Sequence, residues 1–186
     1  SLHCHPTKKT GLVIVAGQAR ISYLNDSVDL SPPAKLMIRP GLFHRTAAIS
    51  PEGILVIEVE SPVDKSNLVR LDDEYDRQGT PYEGQEAMVP MDDSCIRLDQ
   101  PVEGRRFQYS IQDCDLCVET VTDHDNLMQR PPGEVIIVLD GGLFAASGEP
   151  ILTHGDVVSA DTMVRLAATF SSPRGISMLT IRKTRG

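Results

Sequence analysis

Short runs of β-branched and aliphatic residues, each stopped by Gly, Pro, Asn or Asp, recur along most of the chain, and no long stretch carries a helical period. That punctuation is the feature that most constrains the fold. Runs of about four to eight such residues closed by turn formers build antiparallel sandwiches and barrels. The spacing predicts strands over 12–15, 19–23, 35–39, 45–49 and 54–59, then over 107–111, 116–122, 135–139, 143–145, 157–159, 164–169 and 176–182. The run 54–60 alternates, with Ile54, Val56, Glu58 and Glu60 on one face and Leu55, Ile57 and Val59 on the other. A face that begins apolar and ends acidic fits a strand leaving a core toward an opening or the solvent.

Residues 61–104 break the pattern. They are rich in Asp, Glu, Gly and Pro and read as an acidic linker or arm, with one helical turn expected near 67–75. A structureless stretch of that length is uncommon inside one compact domain, so it marks a boundary between two β modules. The expected organisation is a first module at 1–62, a linker at 63–104 and a second module at 105–186.

Composition excludes several partner classes. The net charge of -8 argues against a general nucleic-acid binder, which needs a basic surface to displace counterions, though a pocket for a small anionic ligand can still be locally basic. No run of about 18 apolar residues is present, so no membrane-spanning helix is expected. Four scattered cysteines in an acidic chain suggest reduced thiols and a cytoplasmic location.

Three histidines carry the strongest chemical signal. His3 and His5, two apart on a strand, point to the same face. Pro40-Gly41 is a tight-turn signal that would aim His44 back toward that pair. Three neutral imidazoles with an open position suit a divalent metal ion: Zn, Fe, Ni, Cu or Mn.

This spacing resembles the cupin superfamily, whose motifs are G-x5-H-x-H-x(3,4)-E-x6-G and G-x5-P-x-G-x2-H-x3-N. His3, His5 and Gly17 match the first; the position of its metal-binding Glu is Thr10. Pro40, Gly41 and His44 match the second, with Ala48 at the Asn position. The segment 67–77 is similar to the one that follows the barrel in small sugar-phosphate-related cupins. In the second half, Glu134 to Gly141 fits E-x6-G, but Gln129 and Leu127 stand at the histidine positions. His154-Gly155-Asp156 resembles the turn before the second motif, whose later His position falls near Arg165. The resemblance implies two antiparallel β-barrel (jelly-roll) modules in tandem, only the first keeping a metal site. It also implies strands upstream of His3, which are missing here, so the first module is expected to lack them or to receive them from a neighbouring subunit. Dimerisation through sheets, usual in the family, implies a homo-oligomer.

Other residues have plainer readings. Lys8 and Lys9 read as a solvated turn, or as point charges that capture a phosphate or carboxylate. Arg39 and Arg45 read as solvent-facing, and His124 and His154 as surface residues. Cys114 and Cys117 form a C-x-x-C at a strand edge, with only His124 nearby to complete a zinc site. Glu134 reads as structural, bonding backbone groups at a strand start.

The leading functional expectation is therefore a metal-dependent enzyme acting on a small polar metabolite, an isomerase or epimerase of a sugar or sugar phosphate. His3, His5 and His44 would hold the ion, and Glu58 would move the proton. One alternative is a dioxygenase using Fe(II) on the same three histidines. The other is a non-catalytic, small-molecule-binding or regulatory module.

Overall fold

The computed structural model describes residues 1–64, 66–73, 77 and 95–184. Most of the expected acidic arm, and Tyr75 of the expected helical turn, lie outside them.

The first half contains β1 (Leu2–Cys4), β2 (Lys9–Ala16), β3 (Ala19–Ser22), β4 (Ser27–Leu30), β5 (Ala34–Ile38), β6 (Arg45–Ala48), β7 (Leu55–Ser61) and β8 (Val69–Asp72). These form two three-stranded antiparallel sheets, β5-β2-β7 and β4-β3-β6, and a ribbon of β1 with β8. Leu12, Ile14, Ala19, Ile21 and Ile38 fill the space between the two sheets. The expected helical turn is corrected in its described part: Val69–Asp72 is a strand whose backbone is paired with β1.

The second half contains β9 (Arg106–Ile111), β10 (Cys114–Val121), α1 (His124–Met128), β11 (Val135–Phe144), β12 (Pro150–Thr153), β13 (Val157–Ser159), α2 (Ala160–Ala167) and β14 (Ile176–Lys183). Its strands make one six-stranded sheet in the order β12-β11-β14-β10-β9, with β13 also on β11. The two strands expected at 135–139 and 143–145 are one strand. Gly141 and Gly142 sit beside an irregularity in the β11–β14 register rather than in a turn, as glycine in a strand often does.

A second correction concerns 164–169, expected as a strand. Ala160–Ala167 is a helix. Ser159 caps it, accepting from the Thr162 amide, and Asp161 and Arg165 suit its two dipole ends. Ala160, Met163 and Ala167 fall three and four apart and bury together. Length and β-branched content misled the sequence reading; the cap and the spacing decided the helix.

The modules pack sheet to sheet. Strand β2 alternates between two cores: Leu12 and Ile14 face the first module's interior, while Val13 and Val15 meet Leu116, Val118, Leu179 and Ile181 of the second sheet. Burial on both faces explains why this strand reads as a continuous apolar run instead of alternating. Gly11 lies at the closest approach, where a Cβ would strike the Val157 side chain and touch the Met37 sulfur. The architecture is thus all-β in its framework, two packed β modules in tandem. No helix among the described residues is long and apolar enough to cross a membrane.

Candidate metal centre

Backbone pairing brings the three histidines together. His3 and His44 form an antiparallel bridge and exchange two backbone hydrogen bonds, 3.0 and 2.8 Å. The Gly41 amide donates to the His5 carbonyl at 2.8 Å, which ties the Pro40-Gly41 turn to the same strand end. The ring centroids lie 4.5 Å apart for His3–His44, 5.2 Å for His3–His5 and 5.9 Å for His5–His44. One ligand atom from each ring falls within 4.8 Å of the others.

Each ring also has a backbone carbonyl on Nδ1. The partners are Ser1 O for His3 at 3.3 Å, Asn67 O for His5 at 2.7 Å and Leu42 O for His44 at 3.0 Å. A carbonyl accepts only, so each Nδ1 carries a proton and Nε2 is the atom left to face a ligand. That outer-layer arrangement orients imidazoles for a metal. Burial first, then the neighbouring His44, pushes the His3 imidazole down to about 4. Burial, with a smaller push from His5, also lowers His44, against the Leu42 carbonyl and Glu60. Both rings are therefore neutral at physiological pH, the form a metal needs.

The carboxylates of β7 approach His5 and form a second cluster with it. In the β2–β7 ladder Thr10 stands opposite Glu60, and Leu12 opposite Glu58, so both acids share the inward face with Thr10. Glu60 Oε1 lies 2.9 Å from His5 Nε2, and Glu60 Oε2 lies 2.8 Å from Lys8 Nζ. Two lone-pair atoms do not meet at that distance without a cation or a proton between them. It is also about the edge length of a coordination shell with ligands near 2.1 Å from the ion. Thr10 is 1% exposed and its Oγ1 has no hydrogen-bond partner among the described residues. Glu58 is exposed to solvent as a residue, yet burial of its carboxyl, then the Glu60 charge, raises its pKa against the pull of His5 and Lys8. Two candidate ligand triads share His5: His3, His5 and His44, and His5, Glu58 and Glu60; their imidazole and carboxylate donors suit a divalent ion, with the buried Thr10 hydroxyl on the same face.

The structure thus places His3, His5 and His44 together and sets Glu58 on the same inward face. Glu60 was missed as a ligand candidate, although the alternation of 54–60 already put it beside Glu58. Lys8 is not a solvated turn residue; it is 1% exposed and ion-paired to Glu60. Lys9 is not free in solvent either, bonding Asp156 at 2.7 Å and Thr153 at 3.1 Å across the module boundary. Arg39 and His154 are exposed, as expected. Arg45 bonds Asp72 at 2.8 Å, joining β6 to β8. His124 ties α1 to the Ala167 carbonyl at 2.7 Å.

Cys114 and Cys117 lie on opposite faces of β10, so the C-x-x-C joins neither a metal site nor a disulfide. The Cys114 thiol donates to the Val15 carbonyl, and none of the four cysteines forms a disulfide. Glu134 differs from its expected role: its carboxylate takes the Arg130 guanidinium at 2.7 Å, not backbone groups. Arg130 also reaches Glu119 at 2.9 Å, so a fixed cation accompanies this glutamate.

No family model and no curated protein matches the chain. Among solved structures it is similar to an oxalate decarboxylase variant of Bacillus subtilis, at 13% identity and a TM-score of 0.38, over 100% of this chain and 66% of that one. A second structure of that decarboxylase, described for its Mn(II) centres, gives 12% identity and a TM-score of 0.36 over 100% and 66% of the two chains. A cupin 2 conserved barrel domain protein from Leptotrichia buccalis gives 14% identity and a TM-score of 0.31 over 98% and 77%. This chain therefore spans 66% of the length of the two decarboxylase chains.

Proposed function

We propose that the first module is a metal-dependent catalytic site for a small polar metabolite, with His3, His5, His44 and Glu60 as the ligands. The observation that carries this reading is the backbone carbonyl on every Nδ1, which leaves the three Nε2 atoms as the ligand atoms for one ion. Lys8 holds the outer oxygen of Glu60 and fixes that carboxylate toward His5. A divalent ion there supplies Lewis-acid polarisation of a carbonyl, which makes a neighbouring C–H acidic.

The finer reading is an isomerase or epimerase of a sugar or sugar phosphate. Glu58 is the base in this scheme: it shares the inward face with Glu60 and stands at the mouth, where a substrate carbon would present its proton. The Thr10 hydroxyl, buried without a partner among the described residues, is available to a substrate oxygen. Four cysteines without a disulfide suit a reducing compartment, which is the basis for a cytoplasmic location.

The test is twofold. Metal content of the purified chain, measured after incubation with Zn, Fe, Ni or Mn, is expected to be stoichiometric and lost in His44→Ala. Solvent deuterium exchange at the carbon beside the carbonyl of aldoses, ketoses and their phosphates is expected in the loaded protein. It should vanish in Glu58→Gln with the metal retained. Metal without exchange sinks the isomerase reading; no metal sinks the whole proposal.

A further inference from the structure

The second module has a separate cavity of about 760 Å³. It exists because the inner face of the six-stranded sheet is only half covered. Ile136, Val138, Ile176 and Met178 pack under α1 and α2 with Leu127, Met163 and Ala167. The other half of that face is polar. Arg106 pairs with Glu119, and Gln108 with Cys117, which in turn stands opposite Thr180. No element among the described residues covers these side chains, and they line the cavity.

Its floor is a charged network. Arg130 Nη1 lies 2.9 Å from Glu119 Oε1, and Arg130 Nη2 lies 2.7 Å from Glu134 Oε2. Arg106 Nε lies 2.9 Å from Glu119 Oε2. The Arg130, Glu119 and Glu134 side chains are 7%, 7% and 4% exposed. Burying such a network rarely adds stability over an apolar replacement, so stability alone does not account for it. A guanidinium has five N–H donors, and the contacts of Arg130 to Glu119 and Glu134 occupy three. Donors are left over beside carboxylate oxygens that accept.

Charge balance narrows the ligand. Four arginines and four carboxylates line the cavity, so its formal charge is zero. An anion would compete with carboxylates that already hold the guanidinium groups, and a cation would face the reverse. A neutral molecule with many hydroxyls can donate to the carboxylates and accept from the guanidinium and amide groups at once. We propose that this cavity binds a neutral polyhydroxylated small molecule, a monosaccharide or alditol, through Arg106, Gln108, Glu119 and Arg130. The site is independent of the histidine cluster, which lies in the other module.

Saturation-transfer NMR on the full chain tests this, with free aldoses, ketoses and alditols as probes and malonate and inorganic phosphate as the anionic arm. Transfer to at least one neutral polyol is expected, unchanged in His44→Ala and lost in an Arg106→Ala/Gln108→Ala double variant. Arg106 is largely exposed, at 61%, and Gln108 lies on the edge strand, so that variant should fold; unchanged amide chemical shifts outside β9 and β10 check it. Transfer to the anions alone, transfer that persists in the double variant, transfer that disappears in His44→Ala, or no transfer to any polyol would each overturn the proposal.

Discussion

Thr10 stands directly opposite Glu60 in the β2–β7 ladder, and the Glu60 carboxylate lies 2.9 Å from His5 Nε2. A carboxylate therefore stands one strand away from Thr10 and against His5. Opposed residues of an antiparallel pair project to the same side with Cβ atoms about 5 Å apart, so a carboxylate across the ladder from Thr10 reaches the His5 imidazole.

Replacing that acid should weaken the centre. Glu60→Gln is expected to lower metal affinity by about tenfold or more, read by competition with a fluorescent chelator. His5→Ala should lower it further, while Thr10→Val should leave it within a few-fold. Equal affinity in Glu60→Gln and the parent chain would remove Glu60 from the ligand set.

Acid should destabilise the metal-free protein. The folded His3 pKa is near 4 and the ordinary value is 6.5, with His44 shifted in the same direction. Between those limits the unfolded chain takes up protons that the folded chain refuses, so stability falls as pH drops from about 6.5 toward 4. Urea midpoints of the chelator-treated protein should decrease from pH 7.5 to pH 5, and the decrease should shrink in a His3→Gln variant. Bound metal should oppose the loss, because protons and the ion compete for the same nitrogens.

The module boundary is held partly by one lysine. Lys9 bonds Asp156 and Thr153 with its side chain 27% exposed, so Lys9→Met is expected to cost about 1 kcal/mol. The urea midpoint should fall while the slope stays constant. An unchanged midpoint would mean that apolar packing alone sets the boundary.

Gly11→Ala should cost more. The added methyl meets Val157 and the Met37 sulfur inside a close-packed interface, and overpacking of this kind costs about 1–3 kcal/mol. Pairing it with Val157→Ala should recover part of the loss, since the two substitutions share one contact.

Arg130→Lys tests the second module. Lysine keeps the charge but not the fork that spans Glu119 and Glu134. A lower thermal midpoint with intact metal binding is expected, because the two sites belong to different modules.

The sequence by itself determined the strand framework, because the local period of apolar residues and the Gly and Pro stops are physical requirements of pleated strands and turns. It also placed His3, His5 and His44 together, through the H-x-H period and the Pro40-Gly41 turn. It failed at Ala160–Ala167, where short-range β preference and a helix cap competed and packing of Met163 and Ala167 decided. It split β11 in two, because a glycine pair marks a bulge as readily as a turn. Only the tertiary structure decided the roles of Glu60, Lys8 and Arg130. Glu60 meets His5 from 55 positions away in the chain, Lys8 buries its charge against Glu60, and Arg130 supplies a fixed cation to Glu134. A contact between distant residues depends on register and on how two sheets pack, and a one-residue change of register would have turned Glu60 to the other face of its strand.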